Sequence, residues 1–282
     1  MQRRINMEVT VTILVDNTTP VPGINGEYGF AALIKTGGKS FLFDTGSAGA
    51  LYTNAAALGV ELDKIEDVII SHGHFDHTGA MNQLIKLGGI KRIYAHPDVF
   101  LHRLLLFNNG KTRDIGSRFN RQQVEEAGIE MIFTEEFTSI SPAVNLTGMI
   151  PRLTDYENTG GNFKMEVEGE LLEDNIRDDM SMVIEHPDGL IIISGCAHAG
   201  IINTIEYALQ MTGQKRLLAF IGGTHLITAS AERLDATVAA LQKIAPAHLI
   251  LSHCTGFPAS ARLFNEFGPI VKKGEAGMVF KF

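Results

Sequence analysis

Apolar residues along this chain follow two rhythms. Short runs of Val, Ile and Leu read as buried strands, and stretches with apolar positions every three or four residues read as amphipathic helices. Strands are predicted over 8–16 and 29–44, the latter split by a hairpin turn at Gly37-Gly38 (FAALIKT, KSFLFD). A helix is predicted over 48–59, a strand over Val68–Ser71, a helix from about Thr78 to Leu87, and the strand RIYAH ending at His96. From Met180 the pattern is regular again: SMVIEH, a Pro187-Asp188-Gly189 turn and GLIIIS form a hairpin, followed by the helix IINTIEYALQM. Then come LLAFIGG, a helix AERLDATVAALQKI with Ser230 as its N-cap, LILSH, a short helix near Pro258–Phe267 and a closing strand GMVFKF.

Between about 99 and 177 the rhythm weakens. LHRLLLF and RQQVEEAG read as helical, EMIFTE and AVNLTGMI as strands, and TDYENTGGNF and VEGELLEDNIRDD as polar, acidic stretches. Such a segment is either a lid that shapes a substrate pocket or a surface insertion.

Four of the apolar runs stop at a histidine: VIISHGHFDH (Val68–His77), LIIISGCAH (Leu190–His198), LLAFIGGTH (Leu217–His225) and LILSHCTG (Leu249–Gly256). Helical sequence follows each, so the strands are expected to lie parallel with their carboxyl ends along one sheet edge, where ligands bind. VIISH and LILSH echo one another, which predicts a pseudo-symmetric sandwich of two βα-rich halves. Helices starting just after the histidines would aim their positive ends at that edge and favour anionic substrates.

The densest chemistry is His72-x-His74-x-Asp76-His77. In extended chain, residues i and i+2 share a face, so His72, His74 and Asp76 are expected to converge, with Gly73 letting the backbone tighten. Imidazoles with a carboxylate suit Zn²⁺ first, or Fe or Mn. One turn cannot surround a metal, so His198 and His253 are the expected completing ligands. Cys196, two residues from His198, is either a thiolate ligand or a small buried residue ending a strand. His225, after Gly222-Gly223, is expected to bind substrate or transfer protons. Asp44, in FLFDTG, is expected to hold a ligand histidine from behind. Asp178 and Asp179 are either a bridging carboxylate source or a solvated turn. His96 reads as a strand-to-helix turn or a further ligand, and His102, His186 and His248 as structural or exposed, with His248 placed before its strand.

Composition narrows the class. With 282 residues and 45% hydrophobic content, the chain can bury a core near the limit of one domain, so a single domain over 1–282 is expected, with the insertion at about 99–177. The net charge of −8 comes from 32 acids against 24 bases and argues against a nucleic-acid groove. No run approaches the ~18–20 apolar residues of a membrane helix. The N-terminus alternates like a strand and lacks a cleavage site, so no signal peptide is expected; Met7 is an alternative start, with Met1–Asn6 a disordered tail. The two cysteines, Cys196 and Cys254, sit beside histidines. They point to metal chemistry in a cytoplasmic protein, or to a bridge if their strand ends prove adjacent.

FLFDTG together with SHGHFDHTG resembles the metallo-β-lactamase superfamily. LVDN at Leu14–Asn17, TGMIPR at Thr147–Arg152, DDMSMVI, SGCAHAGIINTI, GGTHL and HCTG extend the resemblance to one branch. That branch comprises metal-dependent hydrolases and includes a dihydropterin-(ribofuranosyl)aminobenzene-phosphate synthase. The resemblance implies an α/β fold, an αββα sandwich of two mixed sheets flanked by helices, with one or two divalent metal ions at the edge between the sheets. It implies that His72 and His74 hold one metal, and Asp76, His77 and His253 the second. The family's usual downstream histidine is not evident near Asp178–Ser181, and its Gly-Asp turn reads Gly195-Cys196. His198 would then replace the third ligand of the first metal, with Cys196 in place of the bridging aspartate.

The expected function is hydrolysis of an anionic ester or phosphoester by a metal-activated water, with Asp76 orienting the nucleophile and His225 assisting the leaving group. The alternative is transfer of a dihydropterin diphosphate to a ribofuranosylaminobenzene phosphate. A di-iron redox site or a non-catalytic metal-binding protein ranks last, because di-iron relatives usually carry Glu at the position of His74 and append a flavin domain.

Overall fold

The computed structural model describes residues 7–282, so the tail expected over Met1–Asn6 lies outside the described residues. Two seven-stranded mixed sheets face one another. The first runs, in spatial order, Val279–Lys281, Val9–Val15, Ala31–Thr36, Lys39–Phe43, Asp67–Ile69, Arg92–Ala95 and Glu130–Phe133. The second runs Val271–Lys273, His248–Leu251, Leu217–Gly222, Gly189–Ser194, Ser181–His186, Val144–Leu146 and Thr138–Ser141. In each sheet an antiparallel half passes into a parallel half, at Lys39–Phe43 in the first and Gly189–Ser194 in the second.

The continuous apolar runs are explained by burial on both strand faces. With a period of two, Ile191 and Ile193 point into the core between the sheets, beside Val11, Ile13, Phe41 and Phe43. Leu190 and Ile192 point outward and pack against the helices Ile201–Thr212 and Ala231–Ile244. Val68 and Ile70 do the same on the first sheet, against Leu51, Met81 and Leu84. The layers are therefore helix, sheet, sheet, helix: the αββα sandwich. Ser230 caps its helix as expected, accepting from the Arg233 N–H at 3.2 Å.

The segment 99–177 divides. Glu130–Phe133 joins the first sheet and Thr138–Ser141 with Val144–Leu146 the second. What stands outside is a four-stranded antiparallel sheet ordered Glu170–Glu173, Phe163–Val167, Arg103–Leu106, Thr112–Asp114. LHRLLLF is thus a strand, not a helix. Its run Leu104–Leu106 carries no period of its own, and pairing with the distant Phe163–Val167 decides the outcome. VEGELLE likewise forms a hairpin turned at Glu168-Gly169. Two smaller readings also change: His248 opens its strand rather than preceding it, and Val271–Lys273 is an unforeseen strand. Among the described residues, no helix is long and apolar enough to cross a membrane.

Candidate metal centre

The parallel strands of both sheets deliver their carboxyl ends to one edge, as their topology requires. Sharp backbone turns re-aim the chain there. Among the described residues, Asp44, Ala197, His225 and His253 are non-glycine residues with φ between 46° and 57°, each just beyond a strand of one of the two sheets. This left-handed conformation is costly for residues with a side chain and clusters at functional sites.

Side chains from these turns assemble two adjoining groups. His72, His74 and His198 form one, and Asp76, His77 and His253 the other; within each, one ligand atom per residue lies within 4.8 Å of the others. In the first, His72 Nε2 is 2.9 Å from His74 Nδ1. In the second, Asp76 Oδ2 is 3.2 Å from His253 Nε2 and 3.8 Å from His77 Nε2. Asp76 does not share a face with His72 and His74. The chain turns helical at Phe75 (Phe75–Thr78), which swings Asp76 and His77 away into the second group. The i, i+2 argument holds only as far as His74.

Cys196 lies between the groups, clustering with His72 and His77 on one side and with His253 and Cys254 on the other. Its sulfur is 3.1 Å from His77 Nε2. The two cysteine-bearing strand ends are adjacent, yet both thiols are free. Burial pushes the Cys196 thiol up. Burial also opposes ionisation of Cys254, but contact with Cys196, His253 and the His225 N–H outweighs it and brings that thiol down to about 7.

Each ring presents a chosen nitrogen because the other is held. Asp44 accepts from the Ser71 N–H and hydroxyl, both at 2.7 Å, and its Oδ2 is 2.7 Å from His77 Nδ1. His198 Nδ1 donates to the Thr159 carbonyl at 2.8 Å. His253 Nδ1 meets Asn17 Oδ1 at 2.9 Å, and the His253 N–H donates to Asp16 at 2.7 Å. In all three the Nε2 atom is left facing the cluster, the arrangement that fixes the tautomer of a metal-binding imidazole. The buried Nε2 atoms of His74 and His198 find no hydrogen-bond partner. Buried nitrogens of this kind are costly unless a ligand meets them.

Electrostatics separates the two groups. Burial drives His72 and His198 well below the usual histidine range and His74 to about 3, which keeps these rings neutral. Burial also works against charge on His77, but Asp44 and Asp76 outweigh it and raise it to about 9. Burial opposes ionisation of Asp76, while His77 and His253 prevail and hold it well below the carboxylate range. The first group thus offers neutral imidazoles, whereas His77, and His253 raised against burial by Cys254 and Asp76, hold protons that a cation would displace.

His225 belongs to neither group. Its ring lies 4.3 Å from that of His198 and lines the cleft beside the cluster. Burial, His253 and Arg233 lower it to about 4. Gly160 packs on its ring: a Cβ there would meet His225 Nδ1 at 2.1 Å, and φ is +83°. His96 accepts the Asp98 N–H at its strand end, and His102, His186 and His248 bind Glu166, Met7 and Phe282 away from the cluster.

Asp178 and Asp179 are not a solvated turn, and neither joins the two ligand groups. Both are buried. Asp178 grips Arg103 and the Gly73 N–H, and Asp179 accepts from the Ala199 N–H. Sequence reasoning missed the residues behind the ligands: Asp16, Asn17 and Arg103. The first two could have been found, because LVDN ends an apolar run in polar side chains as FLFD does. Arg103 was concealed by the helical reading of its strand.

The cluster opens on a cleft of about 580 Å³ whose walls are largely aromatic and aliphatic, among them Tyr28, Phe75, Leu105, Phe163 and Ile227. Arg113 stands in this lining with its guanidinium 5.3 Å above the Phe75 ring.

The metallo-β-lactamase superfamily model matches residues 24–157. The chain is 30% identical over 250 residues to the 7,8-dihydropterin-6-methyl-4-(β-D-ribofuranosyl)-aminobenzene-5'-phosphate synthase of Methanocaldococcus jannaschii, across 86% of this chain and 85% of that protein. Among solved structures it resembles Tm1679, described as a metal-dependent hydrolase of the β-lactamase superfamily, with a TM-score of 0.83 and 26% identity over 96% of this chain and 98% of that one. Zn²⁺-bound PqqB from Methylobacterium extorquens shares the fold at a TM-score of 0.55 and 14% identity, over 96% of this chain and 99% of that one.

Proposed function

The chain belongs to the metallo-β-lactamase superfamily, and from that membership we propose that it is a metal-dependent hydrolase of anionic esters or phosphoesters that carry an apolar, planar body. The observation that carries this reading is the pair of adjoining buried ligand groups opening on one aromatic cleft. His72, His74 and His198 would hold one divalent cation, and Asp76, His77 and His253 the other, with the Cys196 sulfur between them. The mixture of imidazole, carboxylate and thiol favours zinc over harder cations. Such cations supply Lewis-acid polarisation of a phosphoryl or carbonyl oxygen and acidify a nucleophilic water.

The chain's own residues then have separable tasks. Asp44 fixes the His77 ring through Nδ1, while Asn17 and Asp16 fix His253. Asp76, held ionised, orients the nucleophile by accepting its hydrogen bond. His225 is uncharged at neutral pH, so its task is to hydrogen-bond substrate rather than to store a proton for the leaving group. Arg113 lies where it can meet an anionic group, and the apolar walls exclude water from the reacting centre. The small sheet and the loop at Gly160-Gly161 form part of the cleft wall through Leu105 and Phe163, in keeping with a substrate-shaping role. The free thiols accord with a cytoplasmic location.

A second reading is transfer to a nucleophile other than water, favoured by the likeness to the archaeal synthase. The deciding experiment incubates zinc-loaded protein with aryl phosphomonoesters and phosphodiesters, and separately with a dihydropterin diphosphate plus a ribofuranosylaminobenzene phosphate. Chelator-sensitive ester cleavage is expected. Coupled product without ester cleavage would replace hydrolysis by transfer, and no turnover in either assay would remove both.

A further inference from the structure

Arg103 is a fully buried arginine on the strand Arg103–Leu106 of the small sheet. Its Nη1 and Nη2 donate to both oxygens of Asp178 at 2.6 and 2.7 Å, and its Nε donates to Asp174 at 2.7 Å. The same Asp178 Oδ2 accepts the N–H of Gly73, at 2.7 Å, between His72 and His74. The turn is pinned at a second point, where the Phe75 N–H donates at 2.9 Å to the carbonyl of Ile115, just past the strand Thr112–Asp114. Gly73 has no room for a side chain: a Cβ there would meet Val99 O at 2.2 Å and Arg103 Nη1 at 2.9 Å.

A buried ion pair adds little net stability over apolar packing of the same volume, because desolvation offsets the attraction. What a planar, two-pronged pair does supply is fixed geometry. We propose that Arg103, acting through Asp178, is a positioning residue that sets the His72-Gly73-His74 turn for metal binding and ties it to the wall of the cleft. The same sheet contributes Leu105 and Phe163 to that wall, and the Phe163 ring lies 5.3 Å from both His74 and His198. The cleft wall and the first ligand group are therefore one mechanical unit. The second group has further anchors outside the small sheet, Asp44, Asp16 and Asn17.

This role rests on the metal reading above, and zinc titration separates the two. The substitution Arg103→Lys keeps the charge and loses the fork, whereas Arg103→Met removes both; if the methionine variant fails to fold, the lysine variant carries the test. Each is placed in a His253→Ala background, leaving the first group, and in a His198→Ala background, leaving the second. Arg103→Lys is expected to weaken zinc binding about tenfold or more in the first background, the size typical of residues behind metal ligands, and to leave the second unchanged. It is also expected to speed hydrogen exchange at the Gly73 amide in metal-free protein, a readout independent of zinc. Equal losses in both backgrounds, or none in either, would overturn the positioning role alone. A wild-type chain that binds no zinc would sink the metal reading, and this role with it.

Discussion

At the scale of single residues, the chemistry of the cluster is decided by what holds each imidazole from behind. The ligand-type residues were legible because histidines and acids at the ends of buried strands have few structural reasons to be there. Their supports were legible only when they sat in a similar context, as Asp44 does. Thr159 was not legible at all, since it acts through a backbone carbonyl that any residue would offer. His225 tests the electrostatics. Its folded value of about 4 lies below the ordinary histidine value near 6.5, so below pH 6.5 the unfolded chain binds the proton that the folded chain refuses. The stability it contributes is present above pH 6.5 and is lost as pH falls toward 4, about 2 kcal/mol of it between pH 7 and pH 5. Metal-free protein should therefore melt at lower temperature at pH 5 than at pH 7, and His225→Gln should shrink that difference. Identical pH slopes for the two proteins would contradict the assignment.

At the scale of elements, the strand-to-turn units were readable and the small sheet was not. Runs such as LIIIS bury alternate residues in different cores, Ile193 inward and Ile192 outward, so every position must be apolar and the signal is strong. Strands of the small sheet have a wet face, and Glu170–Glu173 is exposed throughout. Their pairing partners lie some 60 residues away, between Arg103 and Met165, where local pattern carries no information. The His72-Gly73-His74 part of the turn is held through Arg103 and Asp178 to this unreadable sheet. Gly73→Ala should lose the first ligand group and destabilise the fold by about 2–3 kcal/mol, because the Val99 carbonyl and the Arg103 fork would both have to move. Denaturant unfolding measures this, and a variant as stable as the parent would show that the turn is softer than its contacts indicate.

At the scale of the whole molecule, the sandwich brings distant sequence together through the order of its strands. Each sheet passes from antiparallel to parallel at one strand, and the ligand histidines follow strands of the parallel halves. The textual echo of VIISH and LILSH does not mark topologically equivalent strands. Asp67–Ile69 is the first parallel neighbour after its sheet's transition, whereas His248–Leu251 is the second. The likeness reflects the same local task, an apolar strand ending in a buried histidine. Its two histidines nevertheless fall in different groups, His72 in the first and His253 in the second. That division is the centre of the functional account, and metal counting tests it directly. Protein saturated with zinc, desalted and measured by elemental analysis should hold two zinc ions per chain, and His253→Ala should hold one. Two ions retained in the variant, or none in the parent, would contradict it.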